Sequence, residues 1–464
     1  MKRFAAFASI LLLLAGCAVG PNYRRPKTDV PAAYRGLTPD QAAQSEPTSI
    51  GDQKWWEVFQ DEQLQQLIRA ALQQNYDVRI AATRILEAEA VLGITRADQL
   101  PTVTGGASTA NQRSPRSKVI PPIESSPSQV NLALVWELDF WGRYRRATEA
   151  ARANLLASQW ARQEVISTLV SNVAGAYFQL RELDLELEIS QRTLASREDS
   201  LKLTRLLADH GAISMLDVRQ AEQLVFTASE QIPSLERRIE QQENFISTLL
   251  GKNPDAVARG RKLTDQPHLP QVPAGLTSAL LERRPDIRQA EQQLIAFNAR
   301  IGVAKAAYFP QIALTANAGY QSSALGSLFT GPAGLWSFGG SLAQPIFEGG
   351  RLRNNVRLTE AQKEEALLFY QQTIQQAFRE VSDALIAYRK DQEFRQQQEQ
   401  LTGSAQDAAH LSDIRYKGGA TSYLEVLTNE TNYFSAELNL AQARLNELLA
   451  LVQLYRALGG GWQE

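Results

Sequence analysis

Residues 131–150 read NLALVWELDFWGRYRRATEA, and two periodicities meet inside that stretch. Through residue 140 the pattern alternates. Leu132, Leu134, Trp136, Leu138 and Phe140 share one side, and Asn131, Ala133, Glu137 and Asp139 share the other. Successive side chains of a strand point to opposite faces, so the pattern describes a strand with one apolar and one polar face. At Gly142-Arg143 the alternation stops. A helical pattern then runs to the turn at His210-Gly211, roughly 68 residues or ~100 Å at 1.5 Å per residue. Ordinary globular helices do not reach that length. A strand of about ten residues is long enough to cross a bilayer as part of a β-barrel. A soluble sandwich does not hand a short strand to such a helix.

Outward from this stretch the pattern repeats. Residues 311–320 alternate as well, with Ile312, Leu314, Ala316, Ala318 and Tyr320 against Ala313, Thr315, Asn317 and Gly319. Asp77, Arg79, Ala81, Ala90, Gly93, Ala97 and Pro101 recur 209 residues later as Asp286, Arg288, Ala290, Ala299, Gly302, Ala306 and Pro310. Leu134, Gly142, Arg143 and Ala153 recur 208 residues on as Leu342, Gly350, Arg351 and Ala361. Gly211, Ala212, Ser214, Leu216, Val218 and Glu222 recur at the same offset as Gly419, Ala420, Ser422, Leu424, Val426 and Glu430. The chain is therefore a tandem duplication. Each copy predicts a helix (61–99 in the first), a proline stop, an extended stretch, a very long helix and a shorter returning one. Heptads mark the long helix: Ile166, Val173, Leu180, Leu187, Leu194 and Leu201, with Leu169, Ala176 and Leu183 interleaved. In the second copy Phe434, Ala441, Leu448 and Tyr455 alternate with Leu438, Leu445 and Val452. A 3.5-residue period favours supercoiling. The two shorter helices of a copy together match the long one in length. Two strands per copy give four per chain, too few to close an aqueous barrel, so several chains must share one. Trp136, Trp141, Trp336 and Phe338 are candidates for interfacial girdles.

The N-terminus adds an address. Lys2 and Arg3 precede an apolar run over residues 4–14, the form of a secretory signal and too short to span a bilayer. Leu14-Ala15-Gly16 then leads into Cys17, the single cysteine of the 464 residues. This resembles a bacterial lipobox, in which the peptide is cut before a cysteine that is then lipidated. Ala18 stands where an aspartate usually retains lipoproteins in the inner membrane, which directs the chain to the outer membrane. The net charge of −2 gives no electrostatic footprint for nucleic acid.

Further residues carry a family resemblance over nearly the whole chain. They are Cys17-Ala18-Val19-Gly20-Pro21-Asn22-Tyr23 with Pro26, Trp55-Trp56 with Phe59, Asp61, Leu64 and Asn75, Glu282-Arg283-Arg284-Pro285-Asp286-Ile287, Tyr308-Phe309-Pro310, and Pro345 through Leu352. With them the chain resembles the TolC-like outer membrane factors, in the lipoprotein branch that serves multidrug efflux. The resemblance implies a mostly α fold with a transmembrane β-barrel. It implies a homotrimer whose 12-stranded barrel continues into a 12-helix periplasmic tunnel. It further implies a periplasmic adaptor and an inner-membrane pump, usually of the resistance-nodulation-division type. The corresponding division is 1–16 signal peptide, 17–60 lipid-anchored segment, 61–260 first repeat with strands near 101–113 and 129–140, 261–276 equatorial linker, 277–458 second repeat with strands near 310–323 and 334–347, and 459–464 tail.

In this family the helix tips close as a periplasmic gate. By the same resemblance, Glu425 matches an acidic ring position, and Thr428 stands where many relatives carry a second acid. Tyr416 and Asp217 match a tyrosine and an aspartate that bond between neighbouring coils, and Thr421 replaces a basic partner. The turns at Gly211 and Gly419 are the expected adaptor-docking tips. Enzyme chemistry leaves no trace: there is no Walker loop, no nucleophile elbow and no zinc helix. His210, His268 and His410 stand far apart in sequence, with no second ligand at metal-binding spacing, so neither metal nor cofactor is expected. The acids Glu182/Asp184 and Glu186/Glu188 read as a solvated helix face.

Overall fold

The structure, a computed structural model, describes residues 18–36, 49–113, 115, 121, 124–267 and 272–463. The expected signal segment 1–16, the expected lipidation residue Cys17 and part of the expected 261–276 linker lie outside the described residues. The main elements are α1 (Glu62–Gln74), α2 (Tyr76–Ala97), β1 (Thr102–Thr109), β2 (Ser128–Glu137), α3 (Arg143–Asp209), α4 (Met215–Leu249), α5 (Pro285–Ala306), β3 (Gln311–Ser322), β4 (Gly334–Ala343), α6 (Arg351–Lys417) and α7 (Tyr423–Ala457). The duplication is legible in their lengths. The helices α3 and α6 both have 67 residues, α4 and α7 both 35, and α2 and α5 both 22. Among the described residues no helix is long and apolar enough to cross a membrane.

Residues divide into two compact units. The first comprises Met1–Lys27, Arg84–Gln159 and Gln289–Gln371. It holds a four-stranded antiparallel sheet in the order β1-β2-β3-β4. The register places Val135, Ala133 and Asn131 opposite Thr315, Asn317 and Gly319, and Asn317 opposite Ser337. Apart from Val135 that face is small and polar, with an Asn131 Nδ2 to Asn317 Oδ1 hydrogen bond of 2.9 Å across it. The other carries Leu132, Leu134 and Trp136 beside Leu314, Ala316 and Ala318, then Trp336 and Phe338. Trp336 and Phe338 stack at 5.9 Å near the loop end of the sheet, both exposed. Trp136 and Trp141, near the helix end, donate their indole N–H groups to Gln99 O and Pro310 O. The strands stop short of the sequence limits. The Leu138 amide still donates to Ile312 O, and the chain leaves the ladder at Asp139, which turns back to accept from the Tyr144 and Arg145 amides at the start of α3. In β4, pairing ends before Pro345, which has no amide to give. The N-terminal strap lies on this unit. Arg146 donates to Val19 O at 3.2 Å and to Asn22 Oδ1 at 2.7 Å, and Asn298 donates to Pro21 O at 2.9 Å. Ala150, Ala153, Ala296 and Ala299 form a small-residue seam between α3 and α5.

The second unit comprises Thr28–Thr83, Trp160–Arg288 and Gln372–Glu464. Its core is the heptad seam. Ile166, Val173, Leu180, Leu169, Ala176 and Leu183 are buried, as are Ala441, Leu448, Tyr455, Leu445 and Val452. The single helix expected over 61–99 is two. Asn75 breaks it, its side chain accepting from the Asp77 and Val78 amides and so capping α2. Asp61, 1% exposed, is a hub: it accepts from the Gln63 and Leu64 amides, the Tyr177 hydroxyl, the Arg261 amide and Gln266 Nε2. The acids read as a solvated face are so only in part: Glu188 is exposed, and Glu182 is not. Glu182 is buried beside heptad positions 180 and 183, and burial together with Glu186 pushes its carboxyl up to about 8. Asp184 pairs with Arg181 and Arg259, Glu186 with Arg238 and Glu188 with Lys262. Of these pairs, Glu186–Arg238 crosses to α4, while Arg259 and Lys262 come from the segment that follows α4.

Candidate functional site

Two hairpin turns, α3–α4 and α6–α7, carry the residues singled out as a gate, all within the second unit. Each long helix ends in the same way. Gly211 has φ +73° and Gly419 φ +71°, a left-handed conformation that a side chain resists. The Gly211 amide donates to Ala208 O and the Ala212 amide to Leu207 O, both at 2.9 Å. The Gly419 amide donates to Tyr416 O at 2.9 Å and the Ala420 amide to Arg415 O at 2.8 Å. This arrangement satisfies carbonyls that the end of a helix leaves orphaned. A β-carbon at either glycine would meet no atom within 4 Å, so space around both turns is open.

Behind the turns the helices share a core. Leu201, Val218, Ala221, Val225, Tyr423 and Val426 are buried together, with Tyr416 and Leu194 packed against them. The Tyr416 and Tyr423 rings lie 5.3 Å apart. Met215, Leu216 and Leu424 are exposed at the tips.

The polar groups are arranged differently in the two turns. Ser214 caps α4, accepting from the Asp217 amide, while Asp217 accepts from the Ser214 amide at 3.1 Å and its hydroxyl at 3.0 Å. This reciprocal cap satisfies two orphan donors. In the second turn Ser422 makes no side-chain cap. Glu425 instead pairs with Arg415 Nη1 at 3.1 Å and accepts from the Thr421 hydroxyl. Thr428 is exposed and donates to Leu424 O at 2.8 Å. The structure thus brings Thr421 and Glu425 together and keeps Thr428 apart. Within one chain it makes no bond between Tyr416 and Asp217. The Tyr416 hydroxyl is buried without a hydrogen-bond partner, and burial together with the Asp217 charge holds it above its ordinary range. Arg415 was not singled out in the sequence. Its signal was available: counted outward from the turn, positions 415 and 425 of an antiparallel hairpin face each other. Among the described residues no cluster of histidine, cysteine or acidic side chains is spaced to hold a metal.

The family model described as outer membrane efflux protein matches the chain twice, over residues 67–252 and 276–460. The probable efflux pump outer membrane protein TtgC of Pseudomonas putida is 38% identical over 467 residues, covering 100% of this chain and 96% of that protein. The solvent efflux pump outer membrane protein SrpC of Pseudomonas putida is 40% identical over 471 residues, covering 99% of this chain and 98% of its own length. Among solved structures, the outer-membrane channel OprN superposes with a TM-score of 0.89 at 32% identity, covering 97% of this chain and 100% of that one.

Proposed function

The chain belongs to the outer membrane efflux protein family, and from that premise we propose that it works as the exit duct of a tripartite efflux system, three copies forming one tube. The observation that carries this reading is the sheet. It has one apolar and one polar face, and its outer strands β1 and β4 each pair on one side only. Unpaired edges are not tolerated in lipid, so the sheet must close on copies of itself. Three copies of four strands give a barrel of about 12, wide enough for an aqueous lumen. The apolar face then meets lipid and the polar face lines the pore. The helices form the periplasmic tunnel, and an adaptor docks on the tips at Gly211 and Gly419. A resistance-nodulation-division antiporter feeds the duct. Small toxic organic compounds are its cargo, in line with the solvent in the name of SrpC. Cys17 carries the acyl anchor. The strap that follows it, pinned by Arg146, supports an anchor held at a fixed height along the duct.

Glu425, Tyr416, Asp217, Thr421 and Thr428 belong to the gate at the closed end. One acidic position per chain is occupied instead of two, and Arg415 supplies a cation beside it. Both features support a constriction less acidic than a doubly acidic ring.

Complementation tests the duct. In a strain lacking other ducts, this gene is expected to restore efflux of several unrelated compounds, and Cys17→Ala to reduce but not abolish it. Unchanged drug accumulation on adding the wild-type gene, with the protein present in the outer membrane, would sink the reading.

A further inference from the structure

Twin carboxylates of the duplication, Glu222 and Glu430, sit in opposite surroundings. Glu222 is saturated inside its own hairpin by Arg205 at 2.8 Å and Arg219 at 2.6 Å. In the second hairpin the position of Arg205 is held by Asp413 and that of Arg219 by Leu427. Glu430 has lost both cations and gained a like charge. Its Oε2 is buried with no hydrogen-bond partner.

One cation facing Glu430 comes from the other repeat. It lines a cleft of about 530 Å³ with Arg197, Tyr416, Tyr423, Asp413 and Lys417. Arg197, on α3, is 3% exposed and crosses the seam. Its Nη1 donates to Leu224 O on α4 at 2.9 Å, its guanidinium lies 5.0 Å over the Phe434 ring on α7, and its Nε has no partner. The twin of Arg197 is Ala405, so the second long helix offers nothing equivalent. Arg192–Glu437 forms a further rung of the same antiparallel seam. The inner rung is therefore a charge pair desolvated without direct contact, leaving unmatched polar atoms on both sides. Such a joint costs free energy while closed and regains it when water enters.

We propose that Arg197 and Glu430 form the joint at which the second hairpin parts from the first when the periplasmic end opens, a deliberately weak rung that keeps the closed tip close in free energy to the open one. The inference rests on the reading of the tips as the gate. Moving elements are drawn from the least stable parts of a fold, and here the weakness is local and chemical. Burial, partly offset by Arg197 and reinforced by Asp413, raises the Glu430 carboxyl above its usual range. The closed joint therefore binds a proton more tightly than a hydrated, open one. Acid favours closure at this rung and neutral pH favours parting. The other charged or titratable groups lining this cleft are Lys417 and Asp413, ion-paired at 2.7 Å, His410, Tyr416, Tyr423 and Tyr433, with Arg192, Asp199 and Glu437 further along it.

The test is open probability in planar bilayers for the purified trimer, with thermal melting as the control for folding. Replacing the pair by apolar side chains, Arg197→Met with Glu430→Leu, is expected to lower open probability roughly tenfold, since well-packed apolar pairs often outperform buried ions in holding a seam. Glu430→Gln, nearly the same shape, guards against a variant that does not fold. It is expected to lower opening several-fold at neutral pH and to flatten the pH dependence above the ordinary carboxylate range. Increased opening in either variant would make the pair a lock and overturn the proposal, as would no change. Glu425→Gln separates the two readings. If it alters cation block while the joint variants do nothing, the joint fails and the gate stands. If all three behave as the parent, the gate reading falls with it.

Discussion

The two hairpin tips have the same backbone and different chemistry. Each ends a 67-residue helix with a left-handed glycine and starts a 35-residue helix at a serine. In the first, Ser214 and Asp217 close a reciprocal cap, Glu222 is paired twice, and Met215 is 60% exposed. In the second, Ser422 caps nothing, Glu425 turns to Thr421 and Arg415, Glu430 is orphaned, and the twin of Met215 is Tyr423, 4% exposed. The first tip is self-sufficient in its polar contacts. The apolar core is common to both tips, but the second takes the Arg197 charge beside Glu430 from the other repeat. Duplication preserved the geometry of the turn, and divergence of a few side chains left one carboxylate paired inside its hairpin and its twin facing a cation of the other.

The largest test of this contrast is packing. Tyr423→Ala removes an aromatic from the shared core and is expected to cost about 3–5 kcal/mol. Met215→Ala at the twin position is expected to stay within about 0.5 kcal/mol. Denaturant melts of the two variants compare them directly, and equal losses would dissolve the asymmetry. Capping gives the next effect. Ser214→Ala is expected to cost about 1 kcal/mol and to speed amide exchange in the first turn of α4, whereas Ser422→Ala leaves the first turn of α7 nearly unchanged. Equal acceleration at both turns would mean that Ser422 caps α7 after all.

The smallest effect is a difference in sign with pH. Glu222 is held below its ordinary range by Arg205 and Arg219, so its contribution is present above the unfolded value and lost as pH falls through the folded one. Glu430 is raised by burial, so its penalty is present above the folded value and is relieved as pH falls. As pH falls through the carboxylate range, protection near Glu222, corrected for the intrinsic pH dependence of exchange, is expected to fall while protection near Glu430 rises relative to it. Parallel slopes would show that the two carboxylates share one environment.

Much of this architecture was legible in residue order. The alternation at 131–140, interrupted only by Val135, and at 311–320 placed the two faces, because a strand's period of two leaves no freedom once one face is chosen. Helix lengths and turns followed from heptads and from Gly211 and Gly419. Pairing across helices was not legible. Glu182 looks like one of four charges on a wet face, yet it is buried, since a wheel drawn for one helix cannot show what a second one covers. The break at Asn75 was hidden because its capping bonds are local and leave the hydrophobic period almost intact.

Sequence by itself determined the duplication, the length of the helices, the two-faced strands, the position of the turns and the family, because each is written in periodicity or motif along one chain. Only the tertiary structure decided which of two equivalent carboxylates is satisfied. Glu222 and Glu430 occupy the same place in the repeat, and their difference comes from Arg205, Arg219, Asp413, Leu427 and Arg197. The first four sit on the carboxylate's own hairpin. Arg197 reaches Glu430 from a helix more than two hundred residues away in the chain, where Coulomb energy and burial depend on distance in space and not on distance in sequence.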